Sequence, residues 1–173
     1  MAHYLLIGNL LSLGTVLCLA VSATVKNKKA LIGWQVIGAV FCILSNIVLF
    51  AYPSAATTAV SLVRNILSYK NKLTKNITIF LTFLCIVLGL IFNNLGWVGL
   101  FPISAVASYT VFLYTTKNEQ QMRYALILSM ILWFIPDIYV KAYPAAVNDI
   151  GLALWTSFFA VKHLTSKAKS LKK

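Results

Sequence analysis

The chain has 173 residues, 60% of them hydrophobic and only 10% charged, with a formal charge of +12. Soluble domains carry about 25% charged residues, so this composition excludes an ordinary water-soluble globule and points to lipid as the solvent. Thirteen of the fifteen Lys and Arg fall in short clusters between apolar stretches or at the C-terminus, which excludes a nucleic-acid patch and reads as membrane-topology signals.

In chain order, apolar segments run over about 4–25, 30–51, 54–69, 76–94, 97–116, 124–142 and 145–162. Most approach the roughly 20 residues needed to cross a bilayer. The opening MAHYLLIGN has no Lys or Arg before its apolar run, so the first segment is expected to stay as a helix and not to be a cleaved signal. Lys26, Lys28 and Lys29 follow the first segment, and Lys70, Lys72 and Lys75 follow the third. Lys117 and Arg123 separate the fifth and sixth, and Lys162, Lys167, Lys169, Lys172 and Lys173 follow the seventh. The intervening turns YPS, NNLGW and YPA carry no Lys or Arg. Strict alternation of this kind predicts seven transmembrane helices with the N-terminus outside and the C-terminus inside.

The string AYPSA at 51–55 returns as AYPAA at 142–146, and a shift of 91 residues also brings Thr24, Lys26 and Asn27 onto Thr115, Lys117 and Asn118. The same shift brings Asn46 onto Asp137 without a gap. Pro53 and Pro144 each suit the first turn of a helix, where the missing N–H needs no partner. The duplicated unit is therefore three spans, and the fourth span is left over. One extra crossing keeps both units pointing the same way, a recurring plan of secondary transporters. The expected all-α membrane fold is thus a 3+1+3 parallel repeat: residues 1–75 as the first bundle, 76–96 as a linker span and 97–173 as the second bundle with a basic cytoplasmic tail.

Ionisable residues inside a bilayer are costly and usually functional. Arg64 lies eleven residues past Pro53, roughly 16 Å along a helix, near the midplane of a core about 30 Å thick. Asp137 and Asp149 lie closer to the outer hairpin at Tyr143 and Pro144, and Arg64 is expected to couple to one of them. Span three stacks Ser54, Thr57, Ser61, Arg64 or Asn65, and Ser68 at helical spacing; span six stacks Trp133, Asp137 and Lys141. Span seven places Asn148 and Trp155 on one face with Asp149 beside it, and span two adds Cys42 and Asn46. A cavity formed by Asn46, Arg64, Asn65, Trp133, Asp137, Asn148, Asp149 and Trp155 suits a small polar, ring-bearing solute, held by stacking on indoles and by amide hydrogen bonds.

The 3+1+3 plan resembles the SWEET and PnuC transporters of the MtN3/PQ-loop superfamily, and the AYPSAATTAVSLVRN stretch, the length and the span pattern resemble the bacterial inner-membrane YgjV family. No Pro-Gln dipeptide occurs, and Pro102 lies in span five whereas span one has no proline. The resemblance implies a multi-pass protein of the inner membrane with a site on spans 2, 3, 6 and 7. It matches Asn65 and Trp133 to site positions, with Thr156 and Cys42 at their counterparts in the other repeat.

The expected activity is facilitative or proton-linked transport of a sugar, nucleoside, vitamin or amino-acid-like solute by two rocking bundles. A non-transporting scaffold or accessory subunit of the same fold is the alternative. There is no HExxH and no Ser or Cys paired with an internal His, so an enzyme is not expected. Cys18, Cys42 and Cys85 stand in apolar segments without ligand spacing, and no metal or cofactor is expected. The expected partners are the solute and the lipid bilayer, with no nucleic acid and a homo-oligomer left open.

Overall fold

A computed structural model describes residues 2–24, 28–70, 72–115 and 119–170. Lys26, Asn27, Lys117, Asn118, Lys172 and Lys173, which entered the charge and repeat arguments, lie outside the described residues. Among the described residues the chain is all helical: α1 Ala2–Thr24, α2 Lys28–Val48, α3 Tyr52–Tyr69, α4 Lys75–Ile91, α5 Leu100–Thr115, α6 Glu119–Tyr139 and α7 Tyr143–Ser170. A single 3₁₀ turn, Gly96–Gly99, leads into α5.

Among the described residues, one stretch, His3–Ser22, is by length and composition long and apolar enough to cross a membrane. The others fall short for two reasons. α4 and α5 have only 17 and 16 residues. α3 and α6 carry polar side chains, among them Ser54, Thr57, Arg64, Ser129 and Asp137, that lower their mean hydropathy yet are buried.

Packing follows the helical period. On α1, Leu6, Leu10, Leu13 and Leu17 form an exposed stripe, while Ser12, Cys18 and Ser22 are buried. Neighbours in sequence pack as neighbours in space, α1 also touches α7, and α3 touches α5. The result is a ring of α1, α2, α3, α5, α6 and α7. α4 packs against α3 and α5, with Leu81 and Cys85 meeting Val60 and Val106 in an apolar cluster. Its other face leaves Ile79, Phe80, Phe83 and Leu90 exposed. Gly89 lets α4 come close, because a Cβ there would collide with the Ile103 side chain. Thr74 starts α4 by accepting a hydrogen bond from the Ile77 N–H at 3.4 Å.

The two AYP turns are superimposable bond for bond. In the first, the N–H groups of Leu49, Phe50, Ala51 and Ala55 donate to the carbonyls of Ser45, Ile47, Asn46 and Ala51 at 2.9, 3.1, 2.7 and 3.0 Å. In the second, Val140, Lys141, Ala142 and Ala146 donate to Pro136, Ile138, Asp137 and Ala142 at 2.9, 3.1, 2.8 and 3.0 Å. Every donor and acceptor is displaced by the same 91 residues. Each turn is a Schellman closure, in which one residue must take the left-handed conformation. Phe50 and Lys141 do so, with φ of 58° and 61°.

Side chains lash these turns to other elements at one end of the ring. Asn94 Nδ2 donates to the Phe50 carbonyl at 2.6 Å, and Asn9 Nδ2 donates to the Lys141 carbonyl at 3.1 Å. Asn9 Oδ1 also accepts from the Tyr143 N–H at 3.0 Å. Ser45 donates to the Gly8 carbonyl at 2.8 Å, an approach that a side chain at Gly8 would oppose by striking Leu49. The three turns without basic clusters thereby share one end with the start of α1.

Candidate functional site

The ring encloses a cavity of about 390 Å3. All six ring helices contribute to its wall, and no residue of α4 does. Asn46, Arg64, Asn65, Trp133, Asp137, Asn148 and Asp149 line it together. Trp155 does not: it is 65% exposed on the outer face of α7, so its place in the expected constellation is corrected. The reason is geometric. Leu152 is the last α7 residue in the cavity wall, so Trp155 lies about one turn beyond the part of α7 that borders it.

Arg64 is 6% exposed. Its Nη1 donates to the Thr110 hydroxyl of α5 at 3.0 Å, and its Nε and Nη2 donate to Asn65 Oδ1 at 3.3 and 3.2 Å. The guanidinium carbon stands 5.3 Å from the centre of the Tyr109 ring, a cation–π geometry. Of the expected coupling to Asp137 or Asp149, directly or through water, the direct ion pair is not formed; Thr110, Asn65 and the Tyr109 ring are the direct partners.

The acids sit elsewhere in the same cavity. Asp137 of α6 and Asp149 of α7 are 5% and 7% exposed. Both belong to the cavity wall. One oxygen of Asp149, Oδ2, is buried without a hydrogen-bond partner. Opposite them, Asn46 donates to Cys42 Sγ at 3.4 Å, and Cys42 is 3.9 Å from the Thr58 hydroxyl, which bonds back to the Ser54 carbonyl at 2.8 Å.

A family model for a bacterial inner membrane protein, Imp-YgjV, matches residues 6–167. The chain belongs to that family. No curated protein and no solved structure matches the chain. The family's location in the inner membrane explains a surface that water would not tolerate: leucines outward, and Arg64, Asp137 and Asp149 inward.

The 91-residue shift organises the cavity wall of this family member. It carries Gln35, Gly38, Ala39, Cys42 and Asn46 of α2 onto Leu126, Ser129, Met130, Trp133 and Asp137 of α6, and every one of these lines the cavity. It also carries Thr58 onto Asp149, again both in the wall. The charges break the pattern. Both acids replace neutral residues of the first half, and Arg64 corresponds to the outward-facing Trp155.

Sequence reasoning missed Tyr109 and Thr110. The repeat could not flag them, because their counterparts are Cys18 and Leu19. The available signal was local: a Tyr-Thr pair interrupts the apolar run of span five at the depth where Arg64 needs acceptors.

Proposed function

We propose that the protein carries a small polar solute across the bacterial inner membrane, through the cavity between two three-helix bundles, α1–α3 and α5–α7. In this reading the chain crosses the bilayer seven times, N-terminus outside, with α4 as the linking span and the bundles exposing the cavity alternately to each side. The observation that carries the proposal is the inside-out distribution of polarity around one cavity. Arg64, Asp137 and Asp149 are buried in its wall, while the ring's outer surface is apolar on α1, α2, α6 and α7. An Arg at the centre of a lone membrane helix costs about 2.5–3.5 kcal/mol on insertion scales. A scaffold gains nothing from carrying that cost into a cavity; a solute site does.

The 3+1+3 plan is supported by the identical hairpins and by the cavity wall drawn from corresponding positions of both halves. It is also supported by the absence of α4 residues from that wall. The turns without basic clusters gather at one end, consistent with an outer face for that end.

The test is uptake by liposomes containing the pure full-length protein, screened against sugars, nucleosides, vitamins and amino acids. Time-dependent accumulation of one class above protein-free liposomes is expected. A folded, correctly inserted protein that moves none of them overturns transport and leaves the scaffold or accessory-subunit reading.

A further inference from the structure

The cavity carries its two kinds of charge on different halves and at different depths. Arg64 stands eleven residues beyond Pro53, and Asp149 five beyond Pro144, measured from equivalent turns at the same end. The Arg64 backbone therefore lies about 9 Å further from its turn than that of Asp149. A guanidinium has five N–H groups. Three of them are bound, to Thr110 and Asn65, which leaves two without a partner. None of the three bonds goes to an anion. At the other end, Asp137 and Asp149 supply the carboxyl groups of the cavity wall, and Arg64 is the one Lys or Arg among its described lining residues. Asp149 Oδ2 remains buried with no donor.

A neutral sugar satisfies neither excess. A plain anion fits Arg64 but meets repulsion from the acid pair, and a plain cation meets the reverse. We propose, resting on the transport reading above, that the solute is a zwitterion carrying an ammonium and a carboxylate. Its carboxylate pairs with Arg64, and its ammonium faces Asp137 and Asp149 toward the hairpin end. Such a solute cancels both charges within a site of low dielectric, where an uncancelled charge is expensive. The difference in depth favours charges separated by several bonds over an α-amino acid, and the Tyr109 and Trp133 rings offer the intervening chain an apolar wall.

The test is binding to the purified full-length protein in detergent, read as thermal stabilisation and by calorimetry. The probes are glycine, γ-aminobutyrate and ε-aminohexanoate. Hexanoate and hexylamine are the singly charged halves, and glucose and uridine are the neutral controls. ε-Aminohexanoate is expected to bind more tightly than glycine, and at least about tenfold more tightly than either half, the worth of one charge-assisted contact. In the isosteric double variant Asp137→Asn with Asp149→Asn, the preference is expected to shift from the zwitterion to hexanoate. Should that variant fail to fold, the wild-type comparison alone decides. Tighter binding of a neutral control or of a single half overturns the zwitterion site, as does binding of none of the probes. Uptake separates the two proposals: zwitterion binding without transport of any solute overturns the transporter, and sugar uptake without zwitterion binding overturns this inference alone.

Discussion

Thr110→Val is the sharpest probe of how the buried cation is held. The substitution exchanges a hydroxyl for a methyl group, so it opens no cavity, and it removes the 3.0 Å acceptor of Arg64 Nη1. The same hydroxyl donates to the Val106 carbonyl at 2.6 Å. That carbonyl belongs to the interior of α5 and keeps its helical partner, so little is lost there. Hydrogen bonds to charged groups are worth about 1.5–3 kcal/mol, and both residues are buried. Thr110→Val should therefore lower stability by about 1.5–3 kcal/mol, at least a tenfold fall in the folded-to-unfolded ratio. The control is Arg64→Met, which keeps the apolar stem and removes the guanidinium. In that background the Thr110 substitution should cost well under about 1 kcal/mol, because the charged donor has gone. Unfolding in mixed micelles, followed by the fluorescence of the protein's four tryptophans, measures all four corners of the cycle. Equal costs in the two backgrounds would mean that Thr110 does not hold Arg64, and the description of the cation site would fall with it.

Lys141→Gly relieves a left-handed residue on the exposed second hairpin and should stabilise the protein by about 1 kcal/mol, seen as a higher melting temperature; a lower one contradicts the strain argument. Gly89→Val should cost about 1–3 kcal/mol by forcing Ile103 aside and loosening α4, and an unchanged melting curve would show that α4 docks less closely than described. Cysteines introduced at Tyr52 and Asn94 should react with impermeant reagents from outside, and those at Lys70 and Lys72 from the cytoplasm; reaction of both sets from one side defeats seven spans. Trp133→Ala should abolish solute uptake whereas Trp155→Ala should leave its KM unchanged, and equal losses would remove the distinction between cavity and outer face.

The fold was legible in the sequence because two signals reinforced each other. Apolar runs punctuated by lysines set the number of helices, and the repeated AYP set their pairing, since a proline three residues after a left-handed turn residue fixes where the next helix begins. The acids and amides of the site were legible for a related reason. Helical spacing places Asn46 beside Cys42 and Asp137 beside Trp133 in any straight helix, whatever surrounds it. What spacing cannot supply is the rotation of one helix against another. Trp155 shares a nominal face with Asn148, yet the cavity wall on α7 ends at Leu152, and the indole is exposed. The partners of Arg64 were hidden for the same reason: α3 meets α5 directly, so Thr110 and Tyr109 come within reach before either acid does.

That contact also explains how a duplicated unit acquires a direction. A perfect repeat would line the cavity with matching residues, and a symmetric wall binds either end of a solute equally well. Here the wall draws on corresponding positions of α2 and α6, where Gly38 is related by the shift to Ser129 and Cys42 to Trp133. Along α3 and α7 it diverges: Thr58 and Asp149 both stay in the wall, but Arg64 stays while Trp155 leaves. The helix that could have carried a second arginine spends that position on the outer surface, and the helix that carries the arginine has a neutral hydroxyl where its counterpart has a carboxylate. One half then offers only positive charge and the other only negative, so a dipolar solute has a single favourable orientation. Moving one carboxylate between the halves, with Thr58→Asp and Asp149→Thr together, should bring it onto the same helix as Arg64, within two turns of it. The separation of charge between the two halves would then be reduced, and solute uptake should fall while the protein still inserts. Uptake undiminished by this exchange would show that the polarity of the cavity does not matter to the solute.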